Sequence, residues 1–475
     1  EDHLGAVPYL WPQLQCPVYA TPFAAAILRE KLRDVGLLKK VPLKEVPLGT
    51  KFELGPFGIE YVSVTHSIPE ANSLILRTPD GNILHTGDWK LDPEPLVGDL
   101  TDERALNRAG DDGVLAIVCD STNATSEGES GSEGMVKAKM SELISACDRG
   151  VAVTLFASNI ARLKSVAEAA ESCGRETVLA GRSLWRYSRA AQATGHLDPT
   201  IRLLDDKEGA ELHPSQVVYL CTGCQGEPRA AMAKIAGQTH PRINLSAGDT
   251  VIFSSKVIPG NEAPIGRLYA QLSERGIEVI NEETHGDIHV SGHPKREELK
   301  RMYGWVRPKI CIPVHGEARH LAAHAELARS IGTPEVWSIR DGDLLRLAPG
   351  DAEIVGSAFT GSLAVDGSRM ISPDHAAFGA RRKLMQSGAV FISLVVDNEG
   401  WLVAPPAISG HGIADGEEED VVVKGLVEAV EKALESDKLE NDDKKLREAG
   451  RLAVRRTLAA LYDKRPVIDV QLVRV

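Results

Sequence analysis

The amino-acid sequence predicts an α/β protein of several domains, on three observations. Strand and helix patterns alternate from the N-terminal end up to an apolar run at residues 114–119. A second strand–helix series begins at Val151. A third unit of mixed strand and helix patterns follows a Gly/Pro/Ser-rich stretch that ends near His375. A chain of 475 residues accommodates roughly two to four domains and a large core.

The elements follow in order. Residues 20–35 read as a helix, 57–64 as a strand, and 73–78 with 82–85 as strands around the Pro79-Asp80-Gly81 turn. The run at 114–119 ends in Asp120, the pattern of a buried parallel strand that delivers a carboxylate at its C-terminal end. Residues 126–134 form a Gly/Ser/Glu loop. Residues 151–156 read as a strand, after which Ala157-Ser158-Asn159 caps a helix. Strands are expected at 217–221, 250–253 and 309–313, with a last strand pair over 336–347. In the third unit a hairpin is expected from 390–396 and 401–404. Helices are expected at 421–435 and 444–462 around a charged hinge, and a final strand at 467–475.

Composition narrows the function classes. With 43% hydrophobic and 25% charged residues the chain is an ordinary globular protein. No apolar run approaches the ~20 residues of a membrane span, so no membrane partner is expected. Seven scattered cysteines, an odd number, favour a reducing, cytoplasmic setting over a disulfide framework. Cys221 and Cys224 make a Cys-x-x-Cys with no second pair nearby, a poor fit to zinc or redox chemistry. The net charge of −13 is opposite to the usual nucleic-acid footprint. Bound divalent cations add local positive charge, however, and a basic groove can sit on an acidic body.

The residues that carry chemistry are spread along the chain. It opens on Glu1-Asp2-His3-Leu4-Gly5, and Thr65-His66-Ser67, Thr86-Gly87-Asp88 and Pro313-Val314-His315-Gly316-Glu317 follow. Taken singly, each histidine reads as a packed or surface residue, Asp88 as a turn former, and Trp89 and Trp185 as core residues. Taken together, Asp2, His3, His66, Asp88 and His315 all lie at element ends, where imidazoles and carboxylates can converge at one rim. Such a set suits a dinuclear metal hydrolase, in which metals activate a water and hold the attacking and leaving oxygens.

These stretches resemble the β-CASP branch of the metallo-β-lactamase nucleases, and within it the ribonuclease J family. Further matching stretches are Cys119-Asp120-Ser121-Thr122-Asn123-Ala124, Phe156-Ala157-Ser158-Asn159, Thr222-Gly223-Cys224-Gln225-Gly226, Ser254-Ser255-Lys256-Val257-Ile258-Pro259-Gly260 and His289-Val290-Ser291-Gly292-His293. Cys224 departs from the family's usual Ser. Asp2-His3 matches the second half of a His-x-His-x-Asp-His motif. Its two histidines are expected just before Glu1, preceded by about half a domain.

The resemblance implies an αββα-type metallo-β-lactamase sandwich with an inserted α/β β-CASP domain and a small α/β C-terminal domain. The division would be 1–135 and 293–348 for the sandwich, its N-terminus missing, 136–292 for the insert, 349–375 for a linker and 376–475 for the C-terminal domain. Two divalent metal ions per intact chain are implied, zinc foremost and Mn or Mg as alternatives. One would sit on His66, Asp88 and the upstream histidines, the other on Asp2, His3, Asp88 and His315, with Asp88 bridging. Asp2, Asp88, Asp120 and His293 form the implied catalytic group. Within it Asp120 orients a ligand, and His293 contacts the scissile phosphate or protonates the leaving oxygen.

Substrate contacts are implied at Ala157, Ser158 and Asn159, and at His289, Val290, Ser291, Gly292 and His293. Ser-Gly lets backbone approach an oxyanion closely, and a helix start points N–H groups at negative charge. Ser158-Asn159 alone would read as a plain helix cap. His315 resembles the RNA-directed members, since the DNA-repair members tend to carry Val there. The implied activity is 5′→3′ exoribonuclease action with some endonuclease action, preferring 5′-monophosphate RNA, in RNA decay and maturation. A homodimer or homotetramer and other RNA-decay proteins are the implied partners. A catalytically weak RNA-binding scaffold subunit and another nuclease of the same fold remain the alternatives.

Overall fold

The computed structural model describes residues 3–435 and 442–475, and the chain forms two compact units, Glu1–Thr360 and Gly361–Val475. The first unit is built on two large sheets. One has seven strands in the order Glu335–Val336, Ile310–Val314, Ala116–Asp120, Gly81–His85, Asn72–Thr78, Phe57–Ser63 and Lys51–Leu54. The first four run parallel and the rest antiparallel. Ala116–Asp120 and Ile310–Val314 sit side by side in register, Cys119 opposite Pro313 and Asp120 opposite Val314. Their C-terminal ends therefore deliver Asp120 and His315 to the same rim.

The other sheet is six-stranded and wholly parallel, in the order Leu203–Leu204, Glu176–Ala180, Val217–Cys221, Val151–Thr154, Thr250–Phe253 and Glu278–Ile280. Its central strands read as unbroken apolar runs because helices cover both faces. Val151, Val153, Leu220 and Ile252 face Leu163 and Val166 of the Ile160–Ser172 helix on one side. Ala152, Tyr219, Val251 and Phe253 face Met232, Ile235 and Leu272 on the other. The strand order reverses around Val151–Thr154, and an open α/β sheet binds ligands in the crevice at such a switch point. The loops that emerge there are Ala157–Asn159 and Ser254–Lys256.

The second unit is a three-stranded sheet, Ala407–His411, Ala389–Val396 and Val467–Arg474. Its core is Val390, Ile392 and Leu394 against Leu426 and Val430 of the Glu417–Leu434 helix and Val454 and Leu458 of the Asp443–Tyr462 helix. The charged hinge expected between those helices lies outside the described residues.

The first helix begins at Val7 after a turn at His3–Ala6, with Pro8 in its opening turn where a missing N–H costs nothing. The structure corrects three local expectations. The strands expected as one pair over 336–347 belong to different sheets. Gly342, at φ +93°, turns the chain away, so Asp343–Arg346 pairs with Glu353–Ser357 instead. The expected linker 349–375 carries that strand and a second hairpin, Ala364–Asp366 with Arg369–Ile371, closed by a turn at Gly367. In the second unit, the hairpin expected from 401–404 forms at its turn, with Val396 bridged antiparallel to Leu402 and Val403 N–H donating to the Val395 carbonyl, but its regular ladder is Ala407–His411. Pro405 and Pro406 have no N–H to give the ladder, which resumes only beyond them.

Candidate metal centre

Asp88 is held at the site by its turn. Gly87 adopts φ +61°, and a Cβ there would lie 2.9 Å from the Asn72 carbonyl, so only glycine fits. Thr86 donates to the Gly87 carbonyl and accepts from Asp120 N–H, which ties the Asp88 turn to the end of the neighbouring strand.

Three histidines from distant parts of the chain face the Asp88 carboxylate. His3 Nε2 lies 2.9 Å from Oδ2 and His66 Nε2 3.9 Å from Oδ2, while His315 Nε2 lies 3.5 Å from Oδ1. The two oxygens thus look toward different imidazoles. Burial alone would raise the Asp88 pKa. The His3 hydrogen bond and the nearby His66, His293 and His315 more than offset that and hold it well below the usual carboxylate range. His66 is pushed down to about 4, first by burial and then by His293. It therefore stays neutral at pH 7.

Buried acceptors fix the rings. His66 Nδ1 lies 2.6 Å from the Gly292 carbonyl and His293 Nδ1 lies 2.7 Å from Asp120 Oδ2. A carbonyl and a carboxylate can only accept, so both Nδ1 atoms carry hydrogen, and neutral His66 keeps its Nε2 as a lone pair. Asp120 is itself buried, and its Oδ1 accepts from Thr122 N–H and Oγ–H. The ligand atoms of His66, Asp88 and His293 lie within 4.8 Å of one another, as do those of Asp120, His293 and His315. Imidazole lone pairs and carboxylate oxygens turned toward one point, with no Lys or Arg among them, are a donor set suited to a divalent cation.

Most of the expected site residues come together here. His3, His66, Asp88, Asp120, His293 and His315 converge, while Asp2 lies outside the described residues. Ser158 lines a cavity of about 360 Å³ together with His3, His66 and Asp88. The 289–293 loop approaches from the other side, with Ser291 Oγ accepting from Asn123 Nδ2 and from His293 N–H.

Three expected contacts point their side chains elsewhere. Asn159 Oδ1 caps the Ile160–Ser172 helix at Arg162 N–H and its Nδ2 donates to Glu133. Val290 is buried in the apolar core, and Ala157 packs against that core. Asn123, Glu133 and Arg162, which support the site, are absent from the expected set. Asn123 lies inside a quoted motif, but Glu133 and Arg162 carry no local signal. Cys221 and Cys224 are buried free thiols, both pushed up to about 12 by burial, which suits packing and not reactivity. Trp89 is fully buried, as a core residue would be.

A mixed seven-stranded sheet that gathers imidazoles around one aspartate, joined to a doubly wound parallel sheet, fits a metallo-β-lactamase-type hydrolase that binds divalent metal. Comparison with known proteins narrows this. Residues 148–272 match the family described as "Ribonuclease J, beta-CASP domain", 283–339 match "Zn-dependent metallo-hydrolase RNA specificity domain", and 377–475 match "Ribonuclease J C-terminal domain". The chain is 43% identical to Ribonuclease J of Sinorhizobium meliloti, over 100% of this chain and 85% of that one. It is 37% identical to Ribonuclease J 1 of Streptococcus pyogenes, over 87% and 74% respectively. It is 36% identical to Ribonuclease J of Mycolicibacterium smegmatis, over 98% and 84%. The chain belongs to the ribonuclease J family.

Proposed function

We propose that the chain hydrolyses RNA in a 5′→3′ exonuclease mode, with some internal cleavage, and prefers 5′-monophosphate ends. The observation that carries this is the Asp88 carboxylate ringed by His3, His66 and His315. Two divalent ions are the cofactors in this reading, zinc foremost, with Mn or Mg as alternatives. His66 and Asp88, with the histidines expected upstream of Glu1, would hold one, and Asp2, His3, Asp88 and His315 would hold the other. When bound, such ions lower the pKa of water and stabilise the charge that develops on phosphate oxygens.

The chain's own residues do the rest. Asp120 accepts from His293 Nδ1–H and so favours the doubly protonated ring, whose Nε2–H would contact the scissile phosphate or give its proton to the leaving oxygen. Ser158, the Ser291 hydroxyl and the backbone around Gly292 cradle phosphates. Ala157, Asn159 and Val290 shape that cradle from behind. RNA enters between the sandwich, 1–135 and 293–348, and the inserted domain, 136–292. The segment 349–375 connects them to the domain at 376–475. The same reading puts the chain in the cytoplasm as a homodimer or homotetramer, working with other RNA-decay proteins. Among the described residues no helix is long and apolar enough to cross a membrane.

The experiment is a time course on 5′-monophosphate and 5′-triphosphate RNA with Mn²⁺, Mg²⁺ or Zn²⁺ added. Faster loss of the monophosphate RNA, with mononucleotides accumulating from its 5′ end, is expected. Equal rates on both RNAs would remove the end preference.

A further inference from the structure

We infer that Arg162 is a positioning residue that fixes His289 as a neutral Nε2–H donor to the 5′-terminal phosphate of the substrate. The inference rests on the proposed reading of the 289–293 loop as a phosphate cradle.

Arg162 lies in the first turn of the Ile160–Ser172 helix and is 1% exposed. A buried guanidinium needs a carboxylate, and Glu133 supplies one, accepting from Nε at 3.2 Å and from Nη2 at 2.7 Å. Glu133 N–H donates in turn to Asp92 Oδ2, which also holds buried Lys90 at 2.8 Å. The four charges balance, and they brace the Asp88–Asp92 segment against the helix that carries Arg162.

The remaining guanidinium nitrogen faces the loop. Nη1 lies 3.0 Å from the Ser254 carbonyl, 2.9 Å from Ser254 Oγ and 3.1 Å from His289 Nδ1. Ser254 Oγ–H donates to the Ile288 carbonyl, so its oxygen accepts from Arg162.

The chemistry of the pair leaves one arrangement. A guanidinium has five N–H donors and no acceptor. A hydrogen on His289 Nδ1 would point at another hydrogen, so Nδ1 is the bare nitrogen. The single ring hydrogen is then on Nε2. A second ring proton is disfavoured by burial first, then by the charges of Arg162, Lys256 and Lys90, which hold His289 well below the ordinary histidine value. The ring is partly exposed, whereas Arg162 and Ser254 behind it are buried, so its accessible edge is the one away from Nδ1. In this tautomer that edge offers a hydrogen to a phosphate oxygen. The other tautomer would offer a lone pair and repel it.

The test uses the full chain. Nitrogen-15 histidine spectra, with the His289 signals identified by their loss in His289→Gln, read the tautomer directly. The Nε2–H form between about pH 6 and 8 is expected, and an Nδ1–H form or an imidazolium overturns the inference.

Function is read as kcat/KM on one short single-stranded RNA bearing a 5′-monophosphate or a 5′-hydroxyl. The amide nitrogen of Gln reaches the place of Nε2–H, and that of Asn the place of Nδ1. His289→Gln should keep the monophosphate preference within about 3-fold, and His289→Asn should lose about 10- to 100-fold of it, the worth of a hydrogen bond to a charged group. The charge-matched pair Glu133→Gln with Arg162→Gln should lose it like Asn. If that pair does not fold, the His289 variants and the spectra still decide. Equal behaviour of Gln and Asn, with the wild-type preference intact, overturns the tautomer assignment alone. Equal wild-type rates on the two RNAs overturn the phosphate-cradle reading itself, before any variant is made.

Discussion

Asp88 presents one carboxylate oxygen to His3 and His66 and the other to His315, so it is the residue whose loss no neighbour can replace. Asp88→Ala should abolish RNA hydrolysis and lower metal content together, and near-normal turnover with metal still bound would refute the shared-carboxylate reading. Asp120 acts one step further out, through His293. Asp120→Asn should cost roughly 10- to 100-fold in turnover, the usual size of an outer-shell effect, with little change in metal content. Mass spectrometry of bound metal beside the rate separates the two roles, and metal loss in Asp120→Asn or in His293→Ala would make His293 a ligand. Gly292 is a third single-residue test. A Cβ there would lie 2.5 Å from His66 Cε1 and from Ser67 Oγ, so Gly292→Ala must push the His66 ring off its line to Asp88. These residues differ in legibility. Asp88, His66, His293 and His315 are visible in sequence because each sits in a short motif at an element end. Arg162 and Glu133 are not, because a buried Arg and a first-turn Glu look like ordinary helix residues until the fold brings 133, 162 and 289 together.

At the scale of elements, the strand ending in Asp120 is clamped from behind by the Ala318–Ser330 helix. His324 of that helix is fully buried, with Nδ1 2.8 Å from Ser121 Oγ and Nε2 2.9 Å from the Tyr303 hydroxyl. Burial pushes its pKa down to about 4 from 6.5, only partly opposed by Asp120. The folded form therefore binds a proton less readily than the unfolded chain. The stability this group contributes is complete above pH 6.5 and is lost as pH falls toward 4, by up to about 3 kcal/mol. Denaturant unfolding followed against pH should show that loss in the wild type. His324→Leu should be less stable at pH 7, because the buried Ser121 and Tyr303 hydroxyls lose the imidazole and keep only the Cys119 carbonyl and Cys311 Sγ as partners, yet show a smaller loss over the same window. Because His66 and His289 titrate in both proteins, the difference curve isolates His324, and a flat difference would refute the assignment. Element legibility followed burial. Residues 217–221 and 250–253 coincide with observed strands because strands covered on both faces are unbroken apolar runs. The exposed hairpins within 343–371 carry no such run, since their pairing is set by turns around Gly350 and at Gly367. The stretch expected as a strand at 401–404 does begin the hairpin, bridging Leu402 to Val396, but the two prolines after it interrupt the ladder, which continues at Ala407–His411.

At the scale of the whole molecule, the proposed metal ligands all belong to the unit Glu1–Thr360, while Gly361–Val475 has its own core and none of these candidates. We propose that this domain serves assembly, through the outward face of its sheet. Val390, Ile392, Leu394 and Val396 point to the helices, so Phe391, Ser393 and Val395 point the other way, opposite Asp469, Gln471 and Val473 of the neighbouring strand. On that outward face Phe391 is 44% exposed and Val473 54% exposed. We propose that this face, with Phe391 and Val473 open, meets a second copy of the chain in the proposed oligomer. Phe391→Asp with Val473→Asp should move the mass in light scattering toward the monomer and leave the unit folded, since neither side chain contributes to its core. Turnover on short RNA by the monomer should stay near the wild-type value per chain, because every proposed ligand is within one chain. An unchanged mass at matched concentration would put the interface elsewhere, and a monomer that has lost turnover would mean that a partner chain completes the site.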